Sequence, residues 1–287
     1  MTFSHITIVN IDGRHGELNA AQLSLAHSAR ELPGAQVLLL SPQRPKNLLQ
    51  GIEHIPIQPL GYLEYGLFVL YALHRFIRTE FALIVQDDGW VLNGDAWREE
   101  YCNYDYIGAP SHLGRVLSRG TATYFTKFQW VEHLPDDAVR VDFVMNGGFS
   151  LRSKKLLQAP TVLGLPFVLP AVSGVTGPPY EMHWASNSNL EDVQLCIDMR
   201  SALEQSGIRF APLDIARNFA FEHLWLALHR GLDFSQVLGH HSRVRKLASL
   251  DPLTIVYQLT ERDVGAVVGE KFVVDLFQRK GYKITFP

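Results

Sequence analysis

An α/β fold with a largely parallel central sheet is the architecture this sequence predicts, and three observations predict it. Short apolar runs rich in β-branched residues alternate with stretches of helical period. The runs are apolar on both faces, as strands covered by helices on each side must be. They end in loops carrying Asp, Asn, Arg or Gly, and open α/β sheets bind ligands beyond the carboxyl ends of their strands.

The elements follow in chain order. HITIVNI (5–11) is a buried strand that enters the loop DGRHG. ELNAAQLSLAHSAREL (17–32) carries Leu18, Ala21, Leu25 and Ala29 at helical spacing. PGAQVLLLSP (33–42) is a second strand between turn residues, and HIPIQPL (54–60) is extended. GYLEYGLFVLYALHRFI (61–77) sets Leu63, Leu67, Leu70 and Leu73 on one stripe and is a mostly buried helix. FALIVQ (81–86) is the next strand. DYIGAP (105–110) reads as a short strand ending in a turn. Residues 111–140 read as a long loop or a pair of weak strands, the kind of segment that forms a flap. FVMNGGFSLRSKKLL (143–157) reads as a strand, a double-glycine turn and a helix starting at Ser153. The Pro- and Gly-rich segment 158–189 reads as irregular, and LEDVQLCIDMRSALEQSG (190–207) as a helix with a glycine stop. After 240 come RVRKL and a tail expected to form two helices and a last short strand. The division that results is one domain over 1–247 and a small, mainly helical C-terminal extension over 248–287 packed on it.

Composition narrows the function. Of 287 residues, 47% are hydrophobic, enough for the core of one large domain with an appendage. The formal net charge is −3, from 26 basic and 29 acidic residues, which excludes a basic nucleic-acid-binding tail or an acidic disordered chain. The two cysteines, Cys102 and Cys196, lie among apolar or aromatic neighbours without CxxC spacing and read as reduced thiols of a cytosolic protein. The N-terminus has no signal-peptide pattern, and no stretch approaches the ~20 apolar residues of a membrane span. The expectation is a cytoplasmic protein, with contact at a membrane surface still compatible. There is no GxxxxGK[ST] loop, no GxGxxG after the first strand and no GxSxG elbow.

Four polar clusters carry the chemistry, each with a bland alternative. Asp87 and Asp88 follow the apolar strand 81–85 and are placed to hold a divalent cation, or simply to cap a turn. Gly147 and Gly148 allow a backbone to approach a ligand closely, or make a hairpin or bulge. Glu191 and Asp192 open a helix, where acids favour the dipole, or where one of them acts as a general base. Gly239, His240 and His241 offer an imidazole ligand, or a surface pair.

Their order resembles a family of GT-A-like glycosyltransferases long catalogued as a domain of unknown function. The resemblance rests on Gln86, Asp88 and Gly89 (Gln-x-Asp-Gly), Asp105 to Pro110 (DYIGAP), Asn146 to Ser153 (NGGFSLRS), Glu191–Asp192, and the segments FAPLDIARNFAFE (210–222) and LGHH (238–241). It covers roughly 5–245, is strongest in the middle, and excludes the tail. It implies a GT-A-like, Rossmann-type, mostly parallel sheet flanked by helices. It also implies a glycosyltransferase that moves a sugar from a nucleotide-sugar, a UDP-sugar first, to a hydroxyl acceptor such as a glycan, a lipid-linked sugar or another small molecule. A nucleic-acid acceptor stays compatible. Mn²⁺ or Mg²⁺ would bridge the diphosphate to Asp88, with His241 as second ligand and His240 as the alternative. Asn10, Asp12 and Arg14 would meet base and ribose. Asp87 would touch ribose or sugar, or add charge behind the metal. Asn146, Gly147 and Gly148 would line the donor-sugar and acceptor pocket. Asp192, with Glu191 second, would deprotonate the acceptor in an inverting displacement. Gln86 stands where a full DxD motif has an acid. Two other functions stay open: a non-catalytic nucleotide- or glycan-binding protein, and a metal-dependent nucleotidyltransferase or phosphohydrolase.

Overall fold

Four parallel strands lie side by side as the alternating pattern requires. In the computed structural model they are β1 (Ile6–Ile11), β2 (Gln36–Ser41), β3 (Glu53–Pro56) and β4 (Phe81–Val85). The described residues are 1–287 without 15, 17, 133 and 135. The first residue of the expected 17–32 helix, one residue of the DGRHG loop and two of the 111–140 segment therefore fall outside them. β1 is flanked by β2 (Ile8 opposite Val37) and by β4 (Ile8 opposite Leu83).

Alternation along these strands explains their apolar character. Ile6, Ile8, Leu39, Leu83 and Val85 share one core with Ala21 and Leu25 of helix α1 (Asn19–Glu31). Val9, Ile11, Leu38, Leu40, Ala82 and Ile84 share another with Val69 of helix α2 (Tyr62–Tyr71) and with Leu73. Both faces of the sheet are covered, so these strands are mostly apolar on each side. The chain runs outward through β1, β2 and β3, then returns to place β4 on the other side of β1. That makes the crevice beyond the carboxyl ends of β1 and β4 a topological switch point.

The second half of the sheet is antiparallel. β5 (Gly89–Val91) leaves the sheet, and then β6 (Tyr106–Ser118), β7 (Thr121–Phe125) and β8 (Arg140–Ser153) complete the order β3-β2-β1-β4-β8-β6-β7. β8 pairs antiparallel with β4, Leu83 lying opposite Leu151. Several expectations are corrected here. DYIGAP does not end in a turn but opens the thirteen-residue β6, which continues past Pro110 with shifts in register. Residues 111–140 hold the β6–β7 hairpin, in agreement with the pair of strands that is one of the two readings of this segment. The two glycines of NGGF lie inside β8 rather than in a turn, at a β-bulge where the pairing with β4 ends at Phe149 and the pairing with β6 jumps from Ser150 to Met145, the bulge being one of the two bland readings of the pair. Ser153 caps the helix Lys154–Val162, its hydroxyl accepting from the Leu156 amide at 3.0 Å.

The irregular 158–189 segment contains a hairpin, β9 (Val172–Thr176) and β10 (Glu181–Trp184). The expected helix at 190–207 is broken into Glu191–Val193, a π-helical turn at Gln194–Asp198 and Arg200–Gln205. β5 forms a small sheet with β12 (Gly239–His241), which in turn pairs with β11 (Ala220–Phe221). The end of the chain is mixed rather than mainly helical: β13 (Arg245–Leu250), β14 (Leu253–Tyr257), the helices Glu261–Val264 and Glu270–Arg279, and β15 (Lys283–Thr285). β13 straddles the expected boundary at 247. Its Leu247 joins Phe277 and Tyr282 in one core with Trp90, Phe221 and Val237 of the preceding chain. Cys102 and Cys196 are both free of disulfides, and Cys196 is buried. Among the described residues, no helix is long and apolar enough to cross a membrane.

Candidate functional site

The crevice at the switch point opens into a cavity of about 710 Å³. Its walls bring together the loop after β1 (Asn10, Asp12, Arg14), the exit of β4 (Gln86, Asp87, Asp88), the glycine pair of β8 (Asn146, Gly147, Gly148), the start of the 191–205 helix (Glu191, Asp192), and Glu222 and His241. Of the residues given a ligand-binding, metal-binding or catalytic role from sequence, His240 is the one that does not line it.

The reason is strand alternation. β12 pairs with β5 so that Gly89 faces His241 and Trp90 faces His240. Adjacent side chains on a strand point to opposite faces. His241 turns toward Asp88, and His240 turns into the second core, 4.1 Å from the Trp90 ring centroid and beside Phe277. There it is fully buried with neither ring nitrogen hydrogen-bonded, and burial drives its pKa well below the usual imidazole value. His240 is therefore corrected from alternative ligand to core residue.

His241 Nε2 lies 3.2 Å from Asp88 Oδ1 and 3.1 Å from Gln86 Oε1. Gln86 Nε2 donates to the Tyr65 hydroxyl at 3.0 Å, which fixes the amide with its oxygen toward His241. Asp88 Oδ1 is buried, and its close polar contact is this imidazole. The other ring nitrogen, Nδ1, lies 3.3 Å from Glu222 Oε1. Burial works against a charge on His241, but the hydrogen bonds and charges of Asp88 and Glu222 outweigh it and raise the imidazole to about 10. Burial likewise opposes the Glu222 carboxylate, but His241 overcomes it and lowers that group to about 2.

Gly148 is required by this packing. A Cβ there would sit 2.5 Å from both Gln86 Oε1 and His241 Nε2. A Cβ on Gly147 would collide with the Glu191 carboxylate. The Gly148 amide donates to Asn146 Oδ1 at 2.7 Å, while Asn146 Nδ2 donates to Glu222 Oε1 at 3.1 Å.

The two acids at 191 and 192 have different surroundings. Glu191 Oε1 is 2.6 Å from the guanidinium of Arg152, which is 1% exposed, so this carboxylate is held in a buried ion pair. Among the described residues, Asp192 has no cationic partner at hydrogen-bond distance. Its carboxylate accepts from the Val193 amide at 2.8 Å and the Gly147 amide at 3.3 Å. Burial and the charges of Glu191 and Glu222 push it up to about 8.

On the other side, Arg14 donates to Asp12 at 2.6 Å and to Asp87 at 2.9 Å, and Lys246 donates to Asp87 at 2.7 Å. Asp87 is thus a clamp between the loop after β1 and β13. Burial would raise its pKa, but Lys246 and Arg14 lower it. Asn10 Nδ2 donates to Val85 O at 2.9 Å, and its Oδ1 is buried with no partner.

A family profile described as "Protein of unknown function (DUF5672)" matches residues 69–241, more than half of the chain. The chain belongs to this DUF5672 family. No curated protein matches the sequence. Among solved structures, a galactosyltransferase, LgtC, in complex with donor and acceptor sugar analogues is similar at 12% identity and a TM-score of 0.40, over 83% of this chain and 86% of that one. A glycosyltransferase involved in glycosylation of the major capsid of PBCV-1 is similar at 12% identity and a TM-score of 0.37, over 82% and 92%. A mannose-1-phosphate geranyltransferase from Thermus thermophilus is similar at 15% identity and a TM-score of 0.32. The match covers 56% of this chain and 61% of that one, so this chain spans about three fifths of that neighbour.

The DUF5672 chain also places in the cavity residues that sequence inspection passed over. Glu222, which follows β11 and closes the segment FAPLDIARNFAFE without having been singled out there, contacts both His241 and Asn146, and Tyr65 anchors Gln86. Lys246, in the run RVRKL, does not line the cavity itself but donates to Asp87 from behind it. Nothing in spacing reveals these roles, since each is made by elements distant in sequence.

Among the described residues, no group of three or more His, Cys, Asp or Glu is arranged to hold a metal ion by itself. Asp88 and His241, with the amide oxygen of Gln86, are a partial set. Hard cations take oxygen ligands and often keep only one or two protein carboxylates, phosphate oxygens completing the shell. The buried Asp88 carboxylate, in contact with the His241 imidazole, offers one such oxygen.

Proposed function

We propose that this protein is a GT-A-like glycosyltransferase that moves a sugar from a nucleotide-sugar, a UDP-sugar first, to a hydroxyl acceptor, assisted by Mn²⁺ or Mg²⁺ and inverting the anomeric centre. The observation that carries this reading is the convergence of Asp88 Oδ1 and Gln86 Oε1 on His241 Nε2, on the floor of a cavity whose other wall presents Asp192.

Six carboxylates line that cavity (Asp12, Asp87, Asp88, Glu191, Asp192, Glu222), against two arginines, Arg14 and Arg243. A diphosphate entering such a site needs a counter-cation. Asp88, His241 and the Gln86 oxygen are the residues to hold it, and the ion would neutralise charge developing on the leaving diphosphate. Asn10 Oδ1, a buried acceptor without a donor, suits a ribose hydroxyl or a base N–H. Asp12 and Arg14 border the same edge. Asn146, Gly147 and Gly148 leave space for the donor sugar beside the acceptor.

In the transfer step the acceptor oxygen attacks the anomeric carbon, and the acceptor proton passes to Asp192. The bond from that carbon to the diphosphate oxygen breaks, and the nucleoside diphosphate departs with the bonding electron pair. Glu191 is already committed to Arg152 and serves as its counter-ion, not as the base. Asp88→Ala tests the reading. The variant should keep its circular-dichroism spectrum, lose Mn²⁺-enhanced stabilisation by nucleotide-sugars in a thermal-shift panel, and release no nucleoside diphosphate. Full activity in Asp88→Ala would remove the metal role, and proton NMR of the product anomer decides inversion. Release of free sugar phosphate in place of nucleoside diphosphate would favour the phosphohydrolase or nucleotidyltransferase instead.

A further inference from the structure

We propose that Arg243 is the residue that grips the diphosphate of the donor, an inference that rests on the nucleotide-sugar reading above. Arg243 lines the cavity and is exposed. Among the described residues, its guanidinium has no ion pair and no hydrogen bond. The other basic residues of the run RVRK (243–246) are committed: Arg245 is buried against Glu270, and Lys246 donates to Asp87 at 2.7 Å.

The remaining positive groups around the cavity are committed as well. Arg14 is shared by Asp12 and Asp87, Arg152 is paired with Glu191, and His241 is enclosed by Asp88 and Glu222. A diphosphate adds negative charge to a wall already lined by carboxylates. Arg243 is the cation that can meet it without giving up a partner.

The position suits the ligand. His241 contacts Asp88, the Ser242 amide donates to the Asp88 carbonyl at 2.9 Å, and Lys246 reaches Asp87. Residues 241–246 therefore run alongside the exit of β4, and Arg243 lies between the points that anchor them. A diphosphate whose nucleoside lies at Asn10 and Asp12, and whose sugar faces Asp192, crosses this stretch. Burial is the main influence on the Tyr62 hydroxyl and the His112 imidazole, but the Arg243 charge acts on both. Its guanidinium is thus within electrostatic reach of the walls built by α2 and β6. A guanidinium is a planar fork that binds phosphate oxygens in pairs. Negative charge grows on the diphosphate as its bond to the anomeric carbon breaks, so this contact strengthens in the transition state.

The test is isothermal titration calorimetry of UDP, inorganic pyrophosphate and uridine with wild type, Arg243→Ala and Arg243→Lys, at one Mg²⁺ concentration. Arg243 has no partner in the fold to lose, so both variants should melt with the wild type. Arg243→Ala should weaken UDP and pyrophosphate about 10–100-fold, the worth of a hydrogen bond to a charged group, and leave uridine unchanged. Arg243→Lys keeps the charge without the fork and should recover part of the loss. Wild-type affinity for UDP and pyrophosphate in Arg243→Ala overturns the proposal while leaving the nucleotide-sugar reading standing. An equal loss for uridine also overturns it, since uridine has no phosphate to grip. A wild type that binds neither UDP nor pyrophosphate overturns both.

Discussion

Asp192→Asn is the substitution that most directly tests the chemistry. The wild-type carboxyl is pushed up to about 8 by burial and by the charges of Glu191 and Glu222. A base with that pKa is about one-tenth ionised at pH 7 and about nine-tenths at pH 9. The quantity kcat/KM reports the ionisation of the free enzyme, so it should climb about tenfold per pH unit below 8 and flatten above it. Asparagine has the same shape and accepts no proton. It should abolish the rise and lower kcat/KM by about 10²–10⁴-fold, the usual worth of a positioned base. The assay is release of nucleoside diphosphate from a nucleotide-sugar at saturating Mn²⁺, which holds the state of His241 constant. Stability supplies an independent reading. The folded pKa lies above the unfolded carboxylate value, so the stabilising contribution of Asp192 is complete below about 4 and is lost as pH rises through about 8. Asparagine never ionises, and the melting temperature of the variant should exceed wild type by a margin that grows as pH approaches 8. A wild-type profile that is flat through this range, or a variant with undiminished turnover, would refute the assignment of Asp192 as base.

Two further outcomes follow from buried groups. Glu191→Ala strands the Arg152 guanidinium, 1% exposed, without its counter-ion. It should cost roughly 3–5 kcal/mol in urea unfolding, and a loss under about 1 kcal/mol would show that the pair does not bear on the fold. His240→Leu replaces an imidazole with no hydrogen bonds in an aromatic cage. It should leave Mn²⁺ affinity unchanged and stability equal or higher, whereas His241→Leu should lose the ion. Loss of Mn²⁺ binding in His240→Leu would contradict the strand register that separates the two rings.

Much of this protein was legible from local pattern. The apolar runs of β1, β2 and β4, the helices α1 and α2 and the polar exit of β4 are set by alternation and helical period, which depend only on neighbours in the chain. Asp88, Asp192, Gly148 and His241 stood out for the same reason: residue types needed for cation and proton chemistry, placed where strands end or helices begin. What local pattern lacks is partners. The bulge that sets Gly147 and Gly148 inside β8 is decided by the pairing of that strand with β4 and β6 on either side of it, and the strands of the chain's end by a core shared with Trp90 and Phe221. Which histidine of the pair faces the cavity depends on the pairing of β12 with β5, since a shift of one residue would exchange them. Whether Glu191 or Asp192 is free to take a proton depends on Arg152, thirty-nine positions away. Composition and order along the chain specified the donors and acids. Only the pairing of distant strands decided which atom each one faces, because hydrogen bonds and ion pairs act over ångströms in space and not over positions in sequence.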